Sequence, residues 1–346
     1  MRRSAHGTPA ISRIKPLPPK MFSSCLFGGK FFCIIVTPIR VNWRVSGIFK
    51  DFAFWADVSA QIMEGCEMLV FNTPAELQAW ALEKRKTGVR VGLVPTMGYL
   101  HEGHLSLITE ARKRADEVVV SIFVNPVQFG PNEDYEKYPR DEQRDLERCE
   151  AAGASAVFLP TPQNMYAPDA SVFVVEEKLG QGLCGARRPG HFRGVCTVVA
   201  KLFNLALPQV AVFGQKDFQQ AAIIKRMVRD LNFPLEIVVA PIVREPDGLA
   251  KSSRNVYLSA EERQNALGLS RSLALAADAV AANGSCPSQD LRAKMVALLE
   301  SMSLRVDYVE LVDAETLLPV PEATAGTVAL VAAYCGKTRL IDNRIL

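Results

Sequence analysis

Two histidines stand three residues apart in Pro95-Thr96-Met97-Gly98-Tyr99-Leu100-His101-Glu102-Gly103-His104. An apolar strand-like run over residues 90–95 precedes them. Helical spacing follows over 104–114, with Leu105, Ile108 and Ala111 on one face. A strand-to-helix turn aims backbone N–H groups and the positive end of the helix dipole at an anion, so it suits a phosphate. Gly98 and Gly103 let the backbone approach a nucleotide with no Cβ in the way. At this spacing both imidazoles reach one phosphate from the first helical turn. Attack on an α-phosphate builds negative charge on its oxygens, and two imidazole donors stabilise that charge more than the ground state. The alternative is a pair of solvent-exposed histidines at a helix start, in a chain with four histidines in all.

Four further segments carry chemistry. Gly214-Gln215-Lys216-Asp217 lies between a strand-like run, 210–213, and a helical one, 218–230, so Lys216 occupies a second phosphate position. Lys251-Ser252-Ser253-Arg254-Asn255 follows Pro246-Asp247-Gly248; its hydroxyls, amides and guanidinium can clamp a polyphosphate. Asn125 and Gln128 end the strongest β-branched run, 117–124, as neutral groups suited to hydroxyls and a carboxylate; Gln219 and Gln220 after Lys216 could act likewise. A turn or cap is the competing role for Asn125. Residues 187–194 read as a basic, glycine-rich loop that could fold over an anionic substrate.

The elements that must hold these groups alternate. Helices are expected over 73–86, 104–114, 140–152, 195–205 and 218–230, and strands over 90–95, 117–124, 156–159, 210–213 and 235–240. This alternation predicts an α/β domain over 68–243, a Rossmann-like doubly wound parallel sheet binding ligands outside the carboxyl ends of its strands. Helices over 260–282 and 288–302, then strands over 307–312, 328–334 and 339–341, predict a smaller C-terminal α+β domain over 244–346.

Composition excludes several classes. The eight cysteines are scattered without a C-x-x-C pair, which argues against a zinc site or a disulfide framework and for reduced thiols in a cytoplasmic protein. The net charge of +3 resolves into +5 over residues 1–67 and −2 over the rest, so nucleic acid is not an expected partner. No apolar run is long enough for a membrane span. Residues 1–67 hold no acid before Asp51. They read as a transit peptide, a basic arm or, preferred here, sequence upstream of a start at Met68, where Thr73 and Pro74 suit a helix cap and first turn.

From Met68 onward the chain resembles the pantothenate synthetase, or pantoate–β-alanine ligase, family. The resemblance runs through P-T-M-G-x-L-H-x-G-H, S-I-F-V-N-P-x-Q-F, R-P-G-H-F-R-G-V, F-G-x-K-D-F-Q-Q, D-G-L-A-x-S-S-R-N and the final R-L-I-D-N. H-x-G-H alone would point only to the wider nucleotidyltransferase group. The resemblance implies that pantoate attacks the α-phosphate of ATP, giving pantoyl adenylate and pyrophosphate, and that the amine of β-alanine then displaces AMP. It implies that Met97, Gly98, Tyr99, Leu100, His101, Glu102, Gly103 and His104 lie along ATP, with His104 as proton donor; that leaves His101 the expected role of holding the phosphates. Gly214, Gln215, Lys216 and Asp217, and Lys251, Ser252, Ser253 and Arg254, match further ATP-binding stretches, and the Val243 backbone meets the adenine. Gln128 and Gln220 match pantoate-binding glutamines. Mg²⁺ accompanies ATP, with Asp217 a candidate ligand, and a cytosolic homodimer joined through the nucleotide-binding domains is implied. Two features depart from the pattern: Lys251 stands where an apolar residue is expected, and residues 1–67 have no counterpart. A relative acting on phosphorylated substrates would want basic side chains where Gln128 and Gln220 stand.

Overall fold

The computed structural model describes residues 68–131 and 133–346, together with the backbone of an antiparallel hairpin formed by Ser24–Phe27 (β1) and Lys30–Cys33 (β2). Apart from this hairpin, the expectations for residues 1–67 lie outside the described residues.

The large sheet is parallel throughout, in the order β3-β6-β5-β4-β7-β8. Its strands are Leu69–Phe71 (β3), Val91–Thr96 (β4), Glu117–Ile122 (β5), Ala156–Phe158 (β6), Val210–Gly214 (β7) and Glu236–Ala240 (β8). The helices between them are Pro74–Lys86 (α1), Glu102–Arg112 (α2), Glu142–Ala151 (α3), His191–Ala206 (α4) and Phe218–Asp230 (α5). Thr73 and Glu76 form the capping box that starts α1, with Pro74 in its first turn. Successive strand residues face opposite layers. Leu93, Val119 and Phe158 pack with Leu77 of α1 and Val195 and Phe203 of α4, while Val94, Val118 and Val120 pack with Leu107 and Ile108 of α2. Burial on both faces explains why these strands are continuously apolar.

The chain moves outward from β4 through β5 and β6, then returns to the other side of β4 at β7. β4 and β7 pair only at Gly92 with Val210 and Leu93 with Ala211, so their carboxyl ends leave the ladder and open a crevice. The two phosphate segments leave the sheet from those two strands.

Beyond β8 come Ala260–Asn265 (α6), Leu267–Asn283 (α7) and Ser288–Ser301 (α8). One helix was expected over 260–282. Instead a tightened turn at Ala266, where Leu269 N–H donates to Ala266 O, splits it two residues before Gly268. Arg305–Val312 (β10), Val328–Cys335 (β12) and Thr338–Ile345 (β13) form an antiparallel sheet in the order β10-β12-β13. Ser285–Pro287 (β9) and Glu322–Thr324 (β11) pair separately and are too short to show alternation. β13 runs four residues past its expected end because Asp342 and Asn343, both buried, interrupt its apolar pattern. No helix among the described residues is long and apolar enough to cross a membrane.

Candidate active site

The loop from β4 into α2 has two left-handed residues, Gly98 at φ 84° and Tyr99 at φ 50°. The carboxylate of Asp145, on α3, accepts from Tyr99 N–H at 2.6 Å and Leu100 N–H at 2.6 Å and so fixes this bend. A Cβ on Gly98 would lie 3.0 Å from that carboxylate, and the positive φ adds strain, so glycine suits the position twice over.

The helix therefore starts earlier than expected. His101 is its N-cap and His104 lies in its first turn. Gly103 N–H donates to His101 Nδ1 at 3.1 Å, and His101 N–H donates to His104 Nδ1 at 3.2 Å. The two imidazoles thus make the reciprocal capping arrangement usually made by Ser or Thr with Glu or Gln. With Nδ1 accepting in both rings, the neutral tautomers carry their proton on Nε2. Burial, then the charge of Lys216, lowers the His101 pKa to about 4. Burial, then His101 and Lys216, holds His104 well below 6.5. At neutral pH the pair is uncharged and offers two N–H donors.

Burial, then Arg188, also lowers His191 to about 4. The unfolded chain binds protons on these three imidazoles as pH falls through about 6.5, whereas the folded chain does so only near 4 at His101 and His191 and well below 6.5 at His104. In that window the unfolded state holds more protons, so stability rises with pH and levels off above about 6.5. Urea midpoints should be lower at about pH 5 than at about pH 7, and His191→Gln should narrow the gap. Equal gaps in the two proteins would contradict this assignment.

Lys216 sits on the 3₁₀ turn Gln215–Asp217 between β7 and α5, with Nζ 3.4 Å from Asp217 Oδ2. Opposite it, Ser252 caps the turn Ser253–Tyr257 and accepts from Arg254 N–H at 3.3 Å. Arg254 forks onto Asp134, both bonds at 2.9 Å, and Ser253 Oγ meets Tyr138 OH at 3.0 Å. Burial pushes the Asp134 pKa up, but Arg254 outweighs it and leaves the carboxyl below its usual range. Lys251 answers the departure in its motif. It is 19% exposed, its Nζ lies 2.6 Å from Glu102 and 3.4 Å from Glu245, and its N–H donates to Val243 O at 3.0 Å. It bridges the loop to the first turn of α2, and its hydrogen bond lowers the Glu102 pKa to about 2.

Gln128 ends the turn Pro126–Gln128. Asn125 is 1% exposed and all its amide bonding is spent within the protein. Its Oδ1 accepts from Val127 N–H and Tyr166 OH; its Nδ2 donates to Gln128 Oε1 and Gly194 O. The cap competing with the substrate role is thus present, although Asn125 also lines the cleft. His191 Nδ1–H donates to Gln128 O at 2.9 Å, leaving Nε2 to accept from Arg188. Arg188 is in turn forked onto Glu133.

This shortens the loop read over 187–194: Leu183–Arg187 is a short helical turn and α4 already begins at His191, beneath Gln128, while Arg187 and Arg188 line a second cavity. Gly190 needs its glycine for a left-handed φ, 82°, whereas Gly194 is helical and gave a false loop signal. Gln219 likewise leaves the substrate set: it is buried, donating to Leu179 O and Gly182 O and accepting from Cys184 N–H. Gln220 lines the cleft.

The cleft lies at the carboxyl ends of β4 and β7 and has a volume of about 190 Å³. Met97, His101, Gly103 and His104 line it, as do Gly214, Lys216, Asp217 and Val243, and Lys251, Ser252, Ser253 and Arg254 on the opposite wall. A second cavity of about 700 Å³ meets it at Lys216, Ser252 and Arg254. Gly98, Tyr99, Leu100, Glu102 and Gln215, expected along the nucleotide, do not line the cleft. Leu100 is in the core, Glu102 pairs with Lys251, and Gln215 turns to the C-terminal strand. Sequence reasoning missed Asp145, Asp134 and Tyr138, each acting across a long separation.

No group of three or more His, Cys, Asp or Glu side chains able to hold a metal occurs among the described residues, and Asp217 is the one carboxylate among the residues lining the cleft. The described cysteines are free thiols, and burial pushes Cys149 and Cys196 up to about 12, so neither is a nucleophile.

A family model described as pantoate-beta-alanine ligase matches residues 69–345. The chain is 58% identical over 281 residues to the pantothenate synthetase of Anaeromyxobacter dehalogenans, covering 79% of this chain and 97% of that one. The crystal structure of pantothenate synthetase from Thermus thermophilus is 46% identical, with a TM-score of 0.75, covering 80% of this chain and 99% of that one. The pantoate-beta-alanine ligase of Francisella tularensis, solved in complex with beta-gamma ATP and beta-alanine, is 31% identical, with a TM-score of 0.68, covering 81% of this chain and 98% of that one.

Proposed function

The chain belongs to the pantoate–β-alanine ligase family, and from that premise we infer how its cleft divides the work of an ATP-dependent ligase. The reaction condenses pantoate with β-alanine through pantoyl adenylate, releasing AMP and pyrophosphate. A pantoate carboxylate oxygen bonds to the α-phosphorus of ATP while the bond to pyrophosphate breaks. The amine of β-alanine then bonds to the acyl carbon, the bond to AMP breaks, and the amine loses a proton. The substrate supplies its own nucleophile, so the protein's task is positioning and charge stabilisation.

The observation that carries this reading is that neutral Gln128 and Gln220 face the His101–His104 pair and Lys216 in one cleft. Nε2–H of His104 donates to the α-phosphate, and His101 holds the neighbouring oxygens. Lys216 and Arg254 neutralise the departing pyrophosphate, with Arg254 exchanging Asp134 for phosphate. A cleft of about 190 Å³ is small for ATP with a second substrate, so the polyphosphate extends through the junction at Lys216, Ser252 and Arg254. The Val243 backbone meets the adenine, and the amides of Gln128 and Gln220 bind the hydroxyls and carboxylate of pantoate.

Asp217, the carboxylate lining the cleft, would hold Mg²⁺ jointly with the phosphates, since this ion is commonly bound through one or two carboxylates plus substrate phosphates. The ion would there supply further charge neutralisation. The free thiols, buried at Cys149, Cys184, Cys196 and Cys335 and half-buried at Cys286, fit a reducing cytoplasm. The exposed Leu69 and Val70 on edge strand β3 fit a homodimer formed through residues 68–243. Sedimentation of the full chain as a 38.0 kDa species would rule the dimer out.

Gln128→Ala should raise KM for pantoate roughly 10- to 150-fold, the worth of one hydrogen bond to a charged group, about 1.5–3 kcal/mol, while KM for ATP changes less. Steady-state kinetics with each substrate varied in turn checks this; the reverse order would remove Gln128 from the pantoate site.

A further inference from the structure

The turn that carries Lys216 has no cap of its own. Neither the 3₁₀ turn Gln215–Asp217 nor α5 behind it has a side-chain hydrogen bond at its N-cap, and the space around Gly214 is open. The polar groups that hold the turn come from β13, at the other end of the chain. Asn343 is 1% exposed. Its Nδ2 donates to Gln215 O at 2.9 Å and to Lys216 O at 3.0 Å, and its Oδ1 accepts from Gln215 Nε2 at 3.2 Å. Both donor hydrogens and the acceptor are therefore spent on two consecutive residues of one turn.

Asn343 is itself anchored. Its N–H donates to Asp342 Oδ1 at 2.8 Å. Asp342 is buried and held by the fork of Arg244, at 2.7 and 2.9 Å, and Arg244 also donates to Gly248 O at 3.0 Å. Arg244 directly follows Val243, whose carbonyl accepts from Lys251 N–H. One Asp-Asn pair thus joins the lysine turn on one wall of the cleft to the segment leading into the serine loop on the other.

We propose that Asn343 is a positioning residue for adenylate formation: its side-chain amide fixes the backbone of Gln215 and Lys216, and thereby the place from which the Lys216 ammonium meets the phosphates of ATP. The proposal rests on the role given above to Lys216. Released from Asn343, the two carbonyls lose their partners and the turn can move; displacement of a positioned group by about 1 Å can cost about 100-fold in rate.

A double-mutant cycle on the full chain tests this, read as the single-turnover rate of pyrophosphate release with pantoate and ATP. Asn343→Asp keeps the size and the acceptor but cannot donate to the carbonyls. It should lower the rate about 10- to 100-fold when Lys216 is present and less than about twofold when Lys216→Ala is present. Asn343→Ser, which keeps one donor, should recover part of the loss, and KM for pantoate should hold steady. Equal losses in both backgrounds, or none with Lys216 present, would overturn the proposal. So would an Asn343→Asp chain that does not fold, since Asn343 would then serve the fold as a whole. A Lys216→Ala variant with full activity would instead sink the role of Lys216 itself.

Discussion

Replacing His104 with alanine lowers the rate of adenylate formation by about 10²–10³, equivalent to about 2.7–4 kcal/mol for one positioned donor. The size follows from its surroundings. His104 Nδ1 is occupied by His101 N–H, the ring is neutral, and its remaining N–H is held in the cleft before substrate arrives. No reorganisation is then needed as charge builds on the phosphate. The same change leaves His101 N–H without its cap, a stability cost of about 0.5–2 kcal/mol. Pyrophosphate release in a single turnover, alongside a thermal midpoint, separates the effects: the rate should collapse while the midpoint falls by a few degrees. His104→Asn can retain an acceptor for the cap and should recover stability without recovering rate. A folded His104→Ala enzyme turning over at the original rate would remove His104 from the chemistry.

Gly194→Ala has the next largest expected effect, although Gly194 does not line the cleft. A Cβ there would sit 2.5 Å from Val127 O, 2.6 Å from Gln128 Cα and 2.7 Å from Gln128 N. All three are backbone atoms of the turn that presents Gln128, so no side chain can swing aside. α4 cannot yield either, since Val195, Cys196, Val199 and Leu202 lock it into the core. The turn must shift, costing about 1–3 kcal/mol of stability as overpacking. With Gln128 displaced, kcat/KM for pantoate should fall about 100-fold while KM for ATP moves little. Gly182→Ala is the control, with open space around its Cβ and φ at −90°. Urea midpoints and pantoate kinetics on both variants check the argument; an undisturbed pantoate KM in Gly194→Ala would contradict it.

What was legible in the sequence was local. The strand, turn and helix around His101 and His104 occupy consecutive residues, and so do those around Lys216. Apolar runs set the parallel-sheet class because strands buried on both faces have no polar alternation to hide. Misreadings arose where local signals conflicted with packing. Gly190 and Gly194 look like loop residues, yet only the first is in a left-handed conformation; the second is helical because α4 must pass close to the Gln128 turn. Ala266 looks like the middle of a helix and is a break. The residues that hold the site in shape were not legible. Asp145 reaches Tyr99 across 46 positions, Asp134 reaches Arg254 across 120, and Asn343 reaches Lys216 across 127. No periodicity encodes such contacts, since each depends on how distant elements dock.

The central claim is that pantoate is activated as an adenylate in this cleft, and the transfer of oxygen tests it most directly. With pantoate labelled by ¹⁸O in its carboxylate, and ATP and β-alanine present, the oxygen that attacks the α-phosphorus stays with the phosphate when the amine displaces AMP. Mass spectrometry of the products of the full chain should find one ¹⁸O atom in each AMP and pyrophosphate free of label. Unlabelled AMP, or ADP and labelled inorganic phosphate in its place, would contradict the account.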